Sequence, residues 1–399
     1  MKAVVYKGPR RMVVENVPDP RLEDPRDAIV KVTSAAICGS DLHFYDGCTV
    51  TQPGFIPGHE IEGVVAEIGS GVHSIKVGDR VVMPFNIACG YCFNCVRGYP
   101  NACLTTNPQG AGAGYGYPGL GGYQGGQAEY VRVPFADYGC LKLPGQPGDQ
   151  WEDDFVLLAD IFPTGFHATV LANVQEGASV AIYGAGPVGL LATLSARLRG
   201  AGEVYTVDAI PERLQCAKQL GATPIDASQG DPADQILDLR QKNTALKQGL
   251  LPGEEKMKGV LCGIDAVGYE AIDYWDAHQR QSNIVLEQLI HLVAPTGHLG
   301  IIGVYRPEDP CGQTEAIKHG ELPIGFGEMW YKGQAVGTGQ TPVARYNRLL
   351  RDLIVNGRAK PSVIVTQRLP LDGAPEAYAK FCERAPGYVK VVLKPGLAA

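Results

Sequence analysis

The stretch GASVAIYGAGPVGLLATLSARLRGAGEVYTVDAI, residues 177–210, decides the fold. It runs from a short apolar segment (SVAIY) through a glycine-rich turn (Gly184-Ala185-Gly186-Pro187-Val188-Gly189) into a helical pattern (LLATLSARL). A second apolar segment, VYTVD, then ends on Asp208. Strand, tight turn, helix and strand in that order make a βαβ unit, and the glycine spacing is that of a dinucleotide fingerprint. The hexapeptide alone is weak; its place between strand and helix, with a carboxylate about twenty residues on, carries the reading. Gly184, Gly186 and Gly189 allow the turn, let backbone approach a pyrophosphate and let helix pack on strand. The helix N-terminus, reached through Pro187 and Val188, offers N–H groups and a positive dipole end to phosphates. Asp208 can accept from a ribose 2′-hydroxyl and would repel a 2′-phosphate, so NAD is expected over NADP. Arg213, five residues later, softens that preference. The competing reading is a glycine-rich turn with no nucleotide.

Working outward, GVLCGIDAVG (259–268) and GHLGIIGVY (297–305) alternate with helical patterns, the grammar of a parallel sheet. Upstream the texture differs. AIVKVTSAAIC (28–38), IEGVVAEIG (61–69), DRVVMPF (79–85) and QAEYVRVP (127–134) are short Val-rich runs bounded by Gly, Asp and Pro, and read as strands. The last part holds a helix, VARYNRLLRDLIVNG (343–357), and the strand-like VKVVLKPG (389–396). At 399 residues the chain exceeds what one core usually supports, so two domains are expected. The class is α/β: a mainly β domain followed by a doubly wound parallel sheet.

Composition is ordinary for a globular chain, 45% apolar and 19% charged. A formal charge of −7 argues against nucleic acid or an anionic membrane as partner. No apolar run reaches the roughly 18 residues a bilayer requires. The N-terminal MKAVVYKGPRRMVVENV alternates like a strand and carries no signal-peptide pattern, which predicts a cytoplasmic protein. Eleven cysteines, an odd number without an export signal, do not suggest a disulfide framework. Cys48, Cys140, Cys216, Cys262, Cys311 and Cys382 read as small buried hydrophobes.

Four others crowd into CGYCFNCVRGYPNAC (89–103). Cys89, Cys92, Cys95 and Cys103 follow C-x2-C-x2-C-x7-C, whereas a bacterial ferredoxin cradle closes with C-x3-C-P. Four thiolates at this spacing suit a closed tetrahedral zinc; an iron–sulfur cluster or redox dithiols are the alternatives. A closed site has no open position for catalysis, so it would hold a loop too poor in apolar residues to fold alone. A second set of donors is looser. Gly58-His59-Glu60 is not a zincin motif, and a lone histidine is usually a core or surface residue. Cys38-Gly39-Ser40-Asp41-Leu42-His43 adds a thiol, a hydroxyl, a carboxylate and an imidazole. A catalytic zinc needs three protein ligands and an open position, and Cys38 and His59 supply two.

The run GHEIEGVVAEIGSGV (58–72), the CGSDLH segment, the four-cysteine lobe and GAGPVG resemble the zinc-containing medium-chain alcohol dehydrogenase family over essentially the whole chain. PFNIACGYCFNC (84–95), the insertion ending GGQAEYV (125–131), LADIFPTGFHA (158–168) and TGQTPVARYNR (338–348) resemble its glutathione-independent formaldehyde dehydrogenase and formaldehyde dismutase branch. The resemblance implies a GroES-like catalytic domain over 1–165, a Rossmann coenzyme domain over 166–342, and a segment 343–399 returning to the first. It implies Cys38, His59 and Asp160 as catalytic zinc ligands, with Glu60 close to the metal. Ser40 and His43 look like a proton relay and Thr164 like a nicotinamide contact. Two Zn2+ and NAD are the implied cofactors, a small aldehyde or alcohol the substrate, and a homo-oligomer, a homotetramer, the assembly. The competing functions are a dismutase with tightly held NAD, a polyol or amino-alcohol dehydrogenase, and a non-catalytic redox sensor that binds zinc and dinucleotide. FGEMWYKGQAVGTGQTPV (326–343), where dehydrogenase and dismutase differ, looks mixed.

Two stretches are left open. NPQGAGAGYGYPGLGGYQGGQAEY (107–130), rich in Gly and Tyr, is either a flexible surface insertion or an ordered loop that covers a ligand. TALKQGLLPGEEKMKG (244–259) reads as a plain surface excursion.

Overall fold

A computed structural model describes residues 1–49, 51–243, 252–253, 256–273 and 279–397. The 244–259 stretch lies mostly outside them. The chain divides into two compact units, one of Met1–Pro163 with Thr341–Ala399, the other of Thr164–Gln340.

In the second unit, the strand Ser179–Tyr183 pairs in parallel with Glu203–Asp208 on one side and Val260–Asp265 on the other. The full order places Thr223–Asp226 at one edge, then Glu203–Asp208, Ser179–Tyr183, Val260–Asp265, Val293–Ile301 and Ala335–Thr338. Numbered along the chain this is 3-2-1-4-5-6, the doubly wound order, whose reversal point lies at the carboxyl end of Ser179–Tyr183. That strand is buried throughout, as an interior parallel strand must be. Small residues set the helix–sheet spacing on one face. A Cβ on Gly300 would meet the Ala168 carbonyl at 2.5 Å, and one on Gly337 would meet Leu171 at 3.0 Å.

The first unit is built on a largely antiparallel sheet. Its centre is Ala28–Ile37, paired with Glu60–Ile68, with Tyr130–Val133 and with Val391–Leu393. Arg80–Met83 and then Leu141–Lys142 extend it on one side, and Gln367–Leu369 on the other. Two ends of the chain therefore share one sheet. Beneath it lies a buried charge network in which Arg80 pairs with Glu62 at 2.7 Å, Glu152 at 2.7 Å and Asp149 at 2.9 Å. Nine of the cysteines carry free thiols. Cys48 and Cys311 are disulfide-bonded, which corrects the expectation that they are plain buried thiols.

Among the described residues no single helix is long and apolar enough to cross a membrane.

Candidate active site

Residues far apart in sequence meet at the end of the central strand. Cys38 directly follows Ala28–Ile37, and its carbonyl accepts the Asp41 N–H at 3.1 Å as the chain turns into the short helix Asp41–Tyr45. His59 and Glu60 open the neighbouring strand Glu60–Ile68. Asp160 caps the single 3-10 turn Leu157–Ala159 with φ −149° and ψ −78°. One donor atom from each of Cys38, His59, Glu60 and Asp160 lies within 4.8 Å of all the others, and all four residues are buried. The Cys38 Sγ to Asp160 Oδ2 distance is 3.5 Å, and His59 Nε2 to Asp160 Oδ2 is 3.1 Å. With ligand bonds of about 2.0–2.3 Å, a tetrahedral zinc places such donors roughly 3.3–3.8 Å apart, so the thiol–carboxylate pair is at that spacing and the imidazole–carboxylate pair a few tenths of an ångström inside it. The donor set fits the metal.

Electrostatics point the same way. Burial, and then the charge of Asp160, push the Cys38 thiol up. Burial also raises Glu60, against the pull of Lys390. Burial works to lower His59, but the charge of Asp41 and its bonds to Asp160, Asp41 and Cys38 carry it well above the usual value. So many acidic groups in one dry place hold protons unless a cation compensates them. Lys390 Nζ supplies one positive charge, pairing with Glu60 Oε1 and donating to the Ile37 carbonyl at 2.9 Å. Glu60 Oε2 is buried and, among the described residues, has no hydrogen-bond partner.

The other side of His59 is fixed by Asp41. Asp41 Oδ1 lies 3.2 Å from His59 Nδ1, while Oδ2 accepts the Cys38 N–H at 3.0 Å. A carboxylate on Nδ1 leaves Nε2 for a metal, which also fixes the tautomer. Ser40 Oγ sits 3.5 Å from His59 Nε2, and His43 is buried on the same short helix. Asp41 and Lys390 were not singled out as site residues from sequence. Asp41 stood within a quoted motif; Lys390 had no signal at all, 330 residues from its partner.

Cys89, Cys92, Cys95 and Cys103 form the second cluster, their sulfurs all within 4.8 Å. The Cys89–Cys95 and Cys92–Cys103 sulfur separations are both 3.9 Å. Disulfide bonds would need about 2.05 Å, whereas thiolates at about 2.3 Å from a tetrahedral zinc lie roughly 3.8 Å apart. Backbone N–H groups are already aimed at sulfur, from Cys92 to Cys89 at 3.3 Å and from Leu104 to Cys92 at 3.4 Å. Burial acts to raise Cys103, but hydrogen bonds from Thr105, Thr106 and the Cys89 N–H bring it down to about 6. Burial and a hydrogen bond with Cys92 drive Cys95 the other way. Crowded thiols oppose one another's ionisation in this way unless a cation compensates them.

In the second unit, Gly184 has φ +91°, and Gly186 is the extended N-cap of the helix Pro187–Leu198. A Cβ on Gly189 would fall 1.7 Å from the Gly184 carbonyl oxygen, so helix and turn meet only through glycine. Beside Gly186 there is open space. Asp208 closes its strand as expected, with Oδ2 accepting the Ala185 N–H at 2.8 Å and lying 3.7 Å from the Arg213 guanidinium as a loose ion pair. Thr164 begins this unit on the helix Ile161–Leu171.

A family model for an alcohol dehydrogenase GroES-like domain matches residues 24–145, and one for a zinc-binding dehydrogenase matches residues 187–329. The chain is 42% identical to a glutathione-independent formaldehyde dehydrogenase of Pseudomonas aeruginosa, over 99% of this chain and 97% of the relative. It belongs to the zinc-binding alcohol dehydrogenase family. It is 40% identical to a formaldehyde dismutase of Pseudomonas putida, again over 99% and 97%. The alcohol dehydrogenase TADH from Thermus sp. ATN1 superposes with a TM-score of 0.80 at 34% identity, covering 99% of both chains. A zinc-binding dehydrogenase from Sinorhizobium meliloti 1021, bound to NADP, gives 0.75 at 28% identity, with 99% of each chain covered. As a member of this family the chain is an oxidoreductase. Asp160 lies between the two matched stretches, outside both.

Proposed function

We propose that the chain oxidises hydrated formaldehyde and other short aldehydes or alcohols with NAD, independently of glutathione, and that it holds two zinc ions. The observation that carries this reading is the buried Cys38, His59, Glu60 and Asp160 cluster, three ligand types around one point. A zinc bound there supplies Lewis acidity to a substrate oxygen. The chain's own residues do the rest. Ser40 Oγ takes the proton from the substrate hydroxyl and passes it towards His43. Asp41 holds the His59 ring, and Lys390 balances the charge of Glu60. Gly184, Gly186, Gly189 and the helix N-terminus receive the pyrophosphate, Asp208 accepts from the ribose, and Thr164 borders the nicotinamide. Preference for NAD follows from the Asp208 carboxylate, moderated by the nearby Arg213. The four-cysteine lobe holds the second zinc and has no part in turnover. We place the protein in the cytoplasm as a homotetramer.

A second reading, dismutase, is favoured by the 40% identity to the Pseudomonas putida enzyme. Product analysis with formaldehyde separates the two. With zinc-loaded protein and no added NAD, no turnover is expected; adding NAD should give formate and NADH in equal amounts. Equal formate and methanol without added NAD would mean dismutation instead. Metal analysis should find two zincs per chain, and a single zinc would remove one of the assigned sites.

A further inference from the structure

The Gly/Tyr-rich segment folds back on the turn that carries His59, and its glycines let it press close there. A Cβ on Gly125 would lie 2.2 Å from the Pro57 carbonyl oxygen, and one on Gly116, where φ is +69°, would lie 2.7 Å from the Gly58 nitrogen. Three successive N–H groups, of Gly125, Gly126 and Gln127, donate to the carbonyls of Ile56, Gly58 and Pro57 at 2.7, 2.9 and 3.1 Å. Within the loop, Gly116 N–H donates to Tyr123 O at 3.0 Å and Leu120 N–H to Tyr117 O at 2.9 Å. Tyr117 is thereby set against the metal cluster. Its ring centroid is 5.5 Å from that of His59 and 5.8 Å from that of Phe44. Its hydroxyl is buried, and among the described residues no group meets it in good hydrogen-bond geometry. His59, Asp41 and Cys38 lie around it, and the Ser40 hydroxyl is the protein group that can share a weak hydrogen bond with it. A buried phenol donor with no well-formed hydrogen bond, set among the residues proposed to hold the metal, is an unusual thing for a fold to keep, and it marks a place for a ligand atom.

We propose that Tyr117 is a specificity-determining residue that donates a hydrogen bond to the second oxygen of a 1,1-diol, so that the site selects hydrated aldehydes over primary alcohols. This rests on the dehydrogenase reading above. An alcohol has one oxygen, which the cluster and Ser40 engage. A hydrated aldehyde has two on the same carbon, and the second needs its own donor. In the reaction, hydride leaves that carbon for NAD and one hydroxyl proton leaves through Ser40. The C–O bond becomes C=O, and the carboxylic acid keeps both oxygens. Tyr117 keeps its proton throughout. Selectivity of this kind is strong because a buried donor left unpaired penalises the ligand that lacks the matching acceptor.

The test is Tyr117→Phe in the full, zinc-loaded chain, which keeps the ring and removes only the hydroxyl. We expect kcat/KM for formaldehyde to fall about tenfold or more, with that for ethanol within twofold of the parent. Calorimetry on the NADH-loaded protein gives a readout apart from turnover. Formate, with two oxygens on one carbon, should bind about tenfold more weakly to the variant, while trifluoroethanol, with one oxygen, should bind unchanged. Equal weakening of both ligands, or no weakening of formate, overturns the proposal. Absence of turnover in the parent protein would sink the dehydrogenase reading, while the two binding constants still decide the role of Tyr117.

Discussion

A single carboxylate illustrates how much positioning this site requires. Asp41 is not itself proposed to meet substrate, yet it holds His59 Nδ1 from 3.2 Å and the Cys38 N–H at 3.0 Å, so two of the residues proposed to hold the catalytic zinc depend on it. Asp41→Asn keeps the shape and removes the charge that sets the imidazole's tautomer. Loss of such a partner typically costs 10–100-fold in metal affinity. Zinc at the Cys38 cluster should therefore bind about 10–100-fold more weakly in the variant, measured by competition with a chromophoric chelator. The four-cysteine lobe, with no contact to Asp41, should keep its metal. Equal loss from both sites would mean that the substitution disturbs the fold instead of the histidine.

Secondary elements were legible where the pattern is local. The Val-rich runs became Ala28–Ile37, Glu60–Ile68, Arg80–Met83 and Tyr130–Val133, because alternation and bounding turn residues are properties of the run itself. The Gly184–Gly189 turn and the cysteine lobe were legible for the same reason. Asp160 was not: its position depends on one 3-10 turn that carries it 101 residues from His59 in sequence to 3.1 Å in space, and only the family resemblance suggested it. The path of the Gly/Tyr-rich loop was equally hidden, since the bonds of residues 125–127 that anchor it go to residues 56–58, outside the segment. Contacts between elements also make a pH prediction. The helix Glu152–Val156 is tied to the C-terminal segment by Asp153, which pairs with Lys394 at 2.8 Å and with Arg368. Burial acts to raise the Asp153 pKa, but Lys394 and Arg368 outweigh it and hold the carboxyl below its usual range. A depressed carboxylate gives stability that is present above the unfolded-state pKa of about 3.9 and lost as pH falls through the folded value. Asp153→Asn should thus cost about 1 kcal/mol at pH 7 by urea unfolding. The gap to the parent should close as the pH drops below about 4. A gap of constant size would show that the ion pairs are not its source.

At the scale of the molecule, the two units are stabilised by different means. The second has a continuous apolar core between a six-stranded parallel sheet and its helices, including Tyr183, Ile225, Leu289 and Val293. The first holds both clusters proposed to bind zinc, and one of its satellite cores consists mainly of Cys89, Cys92, Cys95 and Cys103 with Ala88. Around that satellite, Tyr91, Phe93, Val96 and Leu104 are each half exposed or more, so little apolar burial supports the lobe. Where burial is scarce, metal binding becomes folding free energy. Removing zinc with a chelator should therefore raise amide hydrogen exchange first in residues 89–104 and in the turns around Cys38 and His59. Exchange in Ser179–Tyr183 and Val260–Asp265, interior strands of the other unit, should stay at its starting rate. Readdition of zinc should restore protection in both regions of the first unit. Uniform loss of protection across both sheets would show that the metals hold the whole chain, and that the division of labour between the units is wrong.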